Sequence, residues 1–248
     1  MRKVDPLLLQ TGYDIPFPEA RLTIHQPNLR EISMIGEFNF HIGTRFLMFD
    51  KDKMLDAQDK FNLEDKNNFD IFMSVMRDKQ RAEHKVNALM ILSLLFPNAQ
   101  ISVGKTQIDI IVGETASSIN AKNFDIFQDI IGQMFCLINE EEVEKQYNPA
   151  DALAAAIANK LKKAKEKVRS TKEQIDLENT SIYGRFVSIL AVGLGKDKND
   201  LCGYTIPQIK EEMKRFQLYQ NFDMYVKMKL AGAENVDEVE DWMGNIVV

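Results

Sequence analysis

A phosphate-binding loop is the first chemistry that the sequence suggests. Residues 103–106, Val-Gly-Lys-Thr, match the end of the loop that holds phosphate in many nucleotide-binding proteins. That loop needs another glycine five residues before Gly104, where Ala99 stands, and a helix directly after it. Residues 107–112 instead alternate in hydrophobicity as a strand does. We therefore interpret Gly104 and Lys105 as the turn of a β-hairpin.

Other fragments of binding motifs are also incomplete. Residues 193–195, Gly-Leu-Gly, lack the third glycine of a dinucleotide-binding fingerprint, and we interpret them as the end of a helix. The segments that start at Asp50 and Asp197 begin like calcium-binding loops. The sixth position, which needs glycine for the sharp turn, holds Leu55 in one and Cys202 in the other. We interpret both segments as solvated loops.

The histidines and cysteines do not form a local metal or nucleophile motif. His25, His41 and His84 are far apart in the sequence, and none has a second histidine or a cysteine four residues away. We interpret each as a surface or satisfied core histidine. Cys136 lies in an apolar run and is expected to be a buried, reduced thiol. The two cysteines, Cys136 and Cys202, are too few for a disulfide framework. No catalytic, cofactor-binding or metal-binding residue is predicted, and an enzyme is the last of our hypotheses.

Composition places the chain among ordinary globular proteins. Its 248 residues are 45% hydrophobic and 27% charged, which is enough for one large domain or two small ones. The net charge of -6 argues against general nucleic-acid binding. No run approaches the roughly 18 apolar residues of a membrane span, and no signal peptide is expected at the start. These features fit a reducing cytoplasm.

The N-terminal part predicts mixed structure. In the hairpin, a two-residue turn would place Ile101 opposite Ile108, and Asn120 is expected to cap the helix that follows. That helix has Phe124 and Phe127 on its apolar stripe. Strand patterns occur at residues 7–9, 21–24 and 99–113, and helix patterns at residues 27–42, 54–61, 69–76, 82–96 and 124–134.

The C-terminal part predicts helices. The longest begins with Thr205 as N-cap and Gln208 in a capping box, and it ends near Gly232. A short acidic helix is expected to fold Trp242, the only tryptophan, back onto it. The other helix patterns are at residues 148–169, 182–192, where Ile182, Phe186, Ile189 and Val192 form the stripe, and 237–243.

These patterns predict a mainly α protein with a minor β component, of the α+β class. An acidic connector at residues 138–147 marks the expected domain boundary. We assign residues 1–140 to an N-terminal α+β domain that contains strands and a hairpin, and residues 148–248 to a C-terminal helical bundle. Residues 160–172 carry seven basic side chains in thirteen positions. The simplest interpretation of this basic stretch is the solvated outer face of a helix. The alternatives are that it binds phosphate groups or an acidic partner.

Several segments resemble a family of proteins from tailed bacteriophages of low-GC Gram-positive bacteria. Members are encoded near the tape-measure gene and are usually regarded as tail assembly chaperones. The similar segments occur in family order over nearly the whole chain, although each is a short pattern without a catalytic residue. They are residues 24–37 (IHQPNLREISMIGE), 123–127 (NFDIF), 158–168 (ANKLKKAKEKV), 204–209 (YTIPQI), 223–225 (DMY), 230–232 (LAG) and 240–243 (EDWM).

This resemblance implies that the chain keeps the tape-measure protein soluble, helps to recruit tail-tube subunits, and acts in the host cytoplasm without remaining in the mature virion. Self-association stays open. Adaptable methionine and aromatic side chains suit the binding of a helical partner, although the same spacing is typical of a core. The residues expected to bind a partner are Met213, Phe216, Tyr219, Met224, Tyr225, Met228, Trp242 and Met243. The alternatives are a structural component of the tail or baseplate, and a nucleic-acid-associated protein that acts through residues 160–172.

Overall fold

The computed structural model describes residues 2–51, 65–78, 82–137, 181–232 and 239–244. Helices predominate there, with two small antiparallel sheets, so the predicted mainly α fold with a minor β component is confirmed. The helices are α1 (Pro6–Thr11), α2 (Leu29–Ile35), α3 (Glu37–Leu47), α4 (Asn68–Arg77), α5 (Ala82–Leu95), α6 (Phe124–Met134), α7 (Ile182–Leu194), α8 (Lys198–Leu201) and α9 (Ile206–Leu230). The strands are β1 (Ile15–Phe17), β2 (Leu22–Ile24), β3 (Gln100–Val103), β4 (Gln107–Val112) and β5 (Thr115–Asn120).

The predicted strand at residues 7–9 is wrong, because these residues lie in α1. Asp5 caps the helix by accepting a hydrogen bond from the backbone N–H of Leu7, and Pro6 occupies the first helical turn. Three apolar residues are too few to reveal a period, so the cap decides the conformation. The predicted strand at 21–24 is confirmed as β2, and its partner is β1, with Phe17 opposite Leu22.

The predicted helix at residues 27–42 is present but divided. Asn28 caps α2 through a capping box with Glu31, so the helix begins after Pro27 and not with it. Gly36, with a φ of 84°, separates α2 from α3. Both helices pack against α5.

The predicted hairpin at residues 99–113 is confirmed, but its register is wrong. Val103 pairs with Ile108 and Ile101 with Ile110, a shift of two residues from the expected pairing. The two-residue turn would have needed a positive φ at Gly104, which that residue does not adopt. Its N–H instead donates to the carbonyl of Gln107, which closes a wider loop.

Strand β5 was not predicted from the sequence. It pairs along the whole of β4, and the connection is a two-residue turn in which Gly113 has a φ of 59°. The segment TASSIN is mostly polar, and Ile119 is the only residue of this strand whose side chain is buried. Asn120 therefore ends a strand, and the N-cap of α6 is Asn123, not Asn120 as predicted.

A phenylalanine cluster forms the centre of the core. The rings of Phe69 and Phe72 lie 5.0 and 5.1 Å from that of Phe124, and all three side chains are buried. Helices α4 and α6, which the periodicity at residues 69–76 and 124–134 predicted, provide these rings. The predicted helix at residues 82–96 is confirmed as α5.

The C-terminal helices share this core. Leu190 of α7 and Ile206 and Ile209 of α9 belong to the same hydrophobic cluster as the N-terminal side chains. The backbone N–H of Leu29 donates to the carbonyl of Tyr204 at 3.0 Å, which joins the start of α2 to the start of α9. The division into two domains stays a prediction, since the proposed connector at 138–147 lies outside the described residues. The helices predicted at 54–61 and 148–169 and the basic stretch 160–172 lie outside them as well.

The predicted helix at residues 182–192 is confirmed, but its buried face is not the predicted one. Tyr183, Val187 and Leu190 face the core, whereas Val192, from the predicted stripe, is 87% exposed. The polar side chains Arg185 and Ser188 lie on the side of the helix opposite this face, so they indicate the buried face that the predicted stripe missed.

Glu37 fixes the start of α7 on α3. Its side chain is only 14% exposed, and its carboxylate accepts hydrogen bonds from the hydroxyl of Ser181 and the backbone N–H groups of Ile182 and Tyr183. Burial by itself would raise the pKa of this carboxyl, but His41 at 3.6 Å and these donors outweigh burial and lower the pKa below its ordinary value.

Replacing Glu37 with glutamine is expected to destabilise the protein in a pH-dependent way. An acid whose pKa is lower in the folded state stabilises it fully above the unfolded pKa of about 4.3 and loses this contribution as the pH falls through the folded value. The Glu37→Gln variant should unfold about 1–3 kcal/mol more easily at pH 7. Urea titrations should show this difference shrinking as the pH falls below about 4. A difference that is constant with pH would contradict the assigned role of the ionised carboxylate.

Candidate functional site

Three of the motif fragments that suggested phosphate or metal chemistry have structural roles, and the segment that starts at Asp50 lies mostly outside the described residues. Residues 103–106 form the hairpin turn, and residues 193–195 end α7, with Gly195 as its left-handed C-cap. Asp197 caps α8 by accepting the backbone N–H of Asn199. Among the described residues, no group of three or more histidine, cysteine, aspartate or glutamate side chains is placed to hold a metal ion.

The histidines make local contacts. His25 lies between Asp14, 2.9 Å from its Nδ1, and Glu31, 3.2 Å from its Nε2. Burial lowers the pKa of His25, but these two carboxylates raise it by more, so the net pKa is above its ordinary value. His41 stacks on Tyr183 and His84 on Phe46. These histidines therefore join neighbouring elements.

The two cysteines are free thiols and both are partly buried. Burial raises the pKa of the Cys136 thiol, and nearby Lys210 only partly offsets it. A thiol with a raised pKa is a poor nucleophile at neutral pH. Cys136 is half-buried and not fully buried as predicted, and its reduced state stays a prediction.

The first half of α9 belongs to the core. Its capping box is formed, with the backbone N–H of Thr205 donating to Gln208 at 2.8 Å. Met213 and Phe216, two of the predicted partner-binding residues, pack against the hydrophobic core. A Cβ atom on Gly193 would lie 2.2 Å from the ring of Phe216, so only glycine allows α7 and α9 to approach this closely. These two side chains hold the helix in place.

The second half of α9 presents apolar side chains to solvent. Met224 and Met228, both predicted, are exposed and lie one turn apart. Tyr219, also predicted, begins a second stripe on the opposite side of the helix, which continues through Phe222 and Val226 to Leu230 at three- and four-residue steps. Together the two stripes form the exposed apolar surface of this half of the helix, which we call the distal face of α9. Its exposed members are Tyr219, Phe222, Met224, Met228 and Leu230.

Tyr225, another predicted residue, is half-buried, and its ring lies 5.7 Å from the Nζ of Lys229. Lys227 forms an ion pair with Asp223 on the same helix. Charged side chains therefore flank the distal face, as they do on many surfaces that are apolar at the centre and polar at the rim. Phe222 and Leu230 were not among the predicted partner-binding residues.

The C-terminal segment folds back onto α9, as predicted. The ring of Trp242 contacts that of Tyr219 edge to face, with centroids 5.3 Å apart. The Nη1 of Arg215 donates to the carbonyl of Trp242 at 3.0 Å. Residues 239–243 form an extended stretch and a turn, so the predicted helix at 237–243 is wrong over these residues. Met243, the last predicted residue, is exposed.

A second apolar surface lies between α2 and α5. It is a shallow groove of about 390 Å³, and Met34, next to one of its lining residues, is 83% exposed. The groove is lined by Ile35, Val86, Leu89, Met90, Ser93 and Leu94. It contains no titratable side chain, and like the distal face it is suited to apolar contact and not to a reaction.

No family model matches the chain, and no curated protein or solved structure is detectably similar to it. Among the described helices, none is both long and apolar enough to cross a membrane.

Proposed function

We propose that this protein is a non-enzymatic bacteriophage tail assembly chaperone that keeps the tape-measure protein soluble and helps to recruit tail-tube subunits. The observation that carries the proposal is the distal face of α9, a projecting helix surface with exposed aromatic and methionine side chains. Such side chains adapt to varied helical partners. The ordered segments that resemble the phage family add support, and three of them lie in or beside α9.

The size of the distal face favours weak and reversible binding. Fully burying one such apolar side chain contributes about 1.5–3 kcal/mol. Because the two stripes of the distal face lie on opposite sides of α9, one partner helix covers two or three of these side chains, each of which is about half-buried already. Burying the remainder contributes on the order of 3 kcal/mol before the cost of association. This corresponds to a dissociation constant in the millimolar range or weaker for one copy. We therefore propose that several copies bind along one tape-measure helix, each easily displaced when tube subunits arrive.

Co-expression tests the proposal. The protein encoded by the neighbouring tape-measure gene is expressed alone and together with this chain, and the soluble fractions are compared by size-exclusion chromatography. We expect the tape measure to be insoluble alone, and soluble and co-eluting when this chain is present. A tape measure that stays insoluble while this chain elutes by itself would contradict the proposal.

A structural component of the tail or baseplate is the main alternative, since the same apolar surface would serve a permanent contact. The two hypotheses differ in whether the protein remains in the mature virion. A chaperone is absent from purified virions, whereas a structural component is present there in fixed stoichiometry, which quantitative mass spectrometry of virions measures.

The nucleic-acid hypothesis rests on residues 160–172, and it predicts steeply salt-dependent binding that falls when those lysines become glutamine.

A further inference from the structure

Residues 239–244, which we call the tail segment, contact α9 through a small and specific set of groups. Arg215 donates from Nη1 to the carbonyl of Trp242 at 3.0 Å and to that of Gly244 at 3.5 Å. The Trp242 ring packs edge to face on Tyr219. A backbone turn, with the N–H of Gly244 donating to the carbonyl of Asp241, presents both carbonyls to one guanidinium. The contact thus combines an aromatic anchor with paired backbone acceptors.

Arg215 is oriented for this contact from its other side. Its Nε and Nη2 donate to Glu211 at 3.0 and 2.9 Å, which leaves Nη1 directed at the tail segment. A guanidinium held at one edge loses little conformational entropy when it binds at the other edge. The site on α9 is therefore arranged before the tail segment arrives, and it does not depend on the tail segment for its geometry.

The charges also match. Lys214 lies 3.8 Å from Glu240, and residues 234–241 contain five acids and no base. Both partners of this ion pair are well exposed, so it contributes little to affinity and more to the selection of an acidic segment. The acids at Glu211 and Glu212 on the same helix stretch are engaged with Arg215 and Lys196.

We propose that Lys214, Arg215 and Tyr219 form a docking site for a short acidic segment that carries a tryptophan, and that the tail segment occupies this site in the free protein. A partner segment of the same chemistry would bind there by displacing Trp242. The inference does not require the proposed chaperone function, because it rests on the contacts of α9 with the tail segment alone.

Trp242 is the only tryptophan in the chain, so its fluorescence reports the docked state directly. In the full chain we expect emission at shorter wavelength and weaker quenching by acrylamide than in a synthetic peptide of residues 234–248. The Arg215→Ala and Tyr219→Ala variants should move both readings towards those of the peptide. The Arg185→Ala variant, which removes an exposed arginine from α7, serves as the matched control and should leave both unchanged.

Binding in trans tests the site itself. The full chain with Trp242→Ala contains no tryptophan, so the fluorescence anisotropy of the added peptide comes from the peptide alone. We expect saturable binding in the range up to a few millimolar, since a short tether supplies an effective concentration of that order. Arg215→Ala in the same chain should weaken binding at least about tenfold, as expected for the loss of hydrogen bonds from a charged donor. A competitor peptide with alanine at the tryptophan position should not displace the bound peptide.

Two results would overturn the inference. One is Trp242 emission and quenching in the full chain that equal those of the free peptide. The other is peptide binding that is absent up to several millimolar, or that is equally strong in the Arg215→Ala and Tyr219→Ala chains.

Discussion

The Phe124→Ala variant is expected to lose about 3–5 kcal/mol of unfolding free energy, the largest effect of any single change that we consider. Phe124 is fully buried, and its ring contacts those of Phe69, Phe72 and Phe127 at centroid distances of 5.0, 5.1 and 6.5 Å. Alanine would remove both the buried ring and its edge contacts, and the cavity would lie between α4 and α6, which are held by the remaining rings. Urea unfolding followed by circular dichroism measures the loss.

Met34→Ala is the matched control for this experiment. It also truncates a large apolar side chain, but one that is 83% exposed, so its effect should be within about 0.5 kcal/mol. If Phe124→Ala were as mild as Met34→Ala, the phenylalanine cluster would not be the centre of the core.

The Gly43→Ala variant is expected to cost about 1–3 kcal/mol, even though alanine is the better helix former. Gly43 lies where α3 crosses α5, and an added Cβ would stand 2.6 Å from Cγ1 of Ile91 and 2.7 Å from the backbone carbonyl oxygen of Asn87. A side chain could relieve such a clash by changing rotamer, but the backbone of α5 cannot, so the two helices would have to separate. Thermal unfolding monitored at 222 nm measures the change.

Asn39→Ala, on the exposed side of α3, provides the comparison for Gly43. It also introduces alanine into α3, but without a steric clash. The loss of the exposed hydrogen bond from the Asn39 amide to the carbonyl of Ile35 is offset by the better helix propensity of alanine, so the change should be within about 0.5 kcal/mol. Equal melting temperatures for the Gly43→Ala variant and the unmodified protein would show that α3 and α5 are not in close contact at this residue.

Long periodic helices and their caps were predictable from the sequence. Helix α4 follows from apolar spacing, α5 from a long apolar run that Pro97 ends, and the start of α9 from Thr205 and Gln208. The buried face of α7 could also have been predicted, because Arg185 and Ser188 mark its opposite side, but the predicted stripe did not use them.

The β structure was predictable in outline only. Alternation in residues 107–112 indicates a strand, but the register depends on the backbone conformation at Gly104, which the residue type does not determine. Strand β5 is polar because much of it does not face the core, and its sequence therefore resembles a loop. Its one clear signal was Gly113 followed by Glu114 between two runs of strand-forming residues.

The candidate site was predictable as a set of side chains but not as a surface. Met213 and Met228 are the same residue type on the same helix, yet the first packs on the core and the second is exposed. The difference lies in position along the helix, since the side chains of α9 that pack on the core run from Ile206 to Phe216 and Leu218 is the last buried one. Which residues remain for a partner thus depends on where the core ends along α9, which the spacing of apolar residues does not reveal.

The measurement that tests the central claim most directly is co-elution of the tape-measure protein with surface variants of this chain. In the first variant Phe222, Met224 and Met228 become glutamine, which removes apolar surface from the distal face of α9 and keeps good helix formers. In the matched variant Leu7, Tyr13 and Val192, exposed side chains on α1, on the loop after α1 and on α7, become glutamine. We predict that the first variant remains folded but leaves the tape measure insoluble, whereas the matched variant keeps it soluble. Equal recovery of soluble tape measure with both variants would contradict the assignment of the distal face as the binding surface.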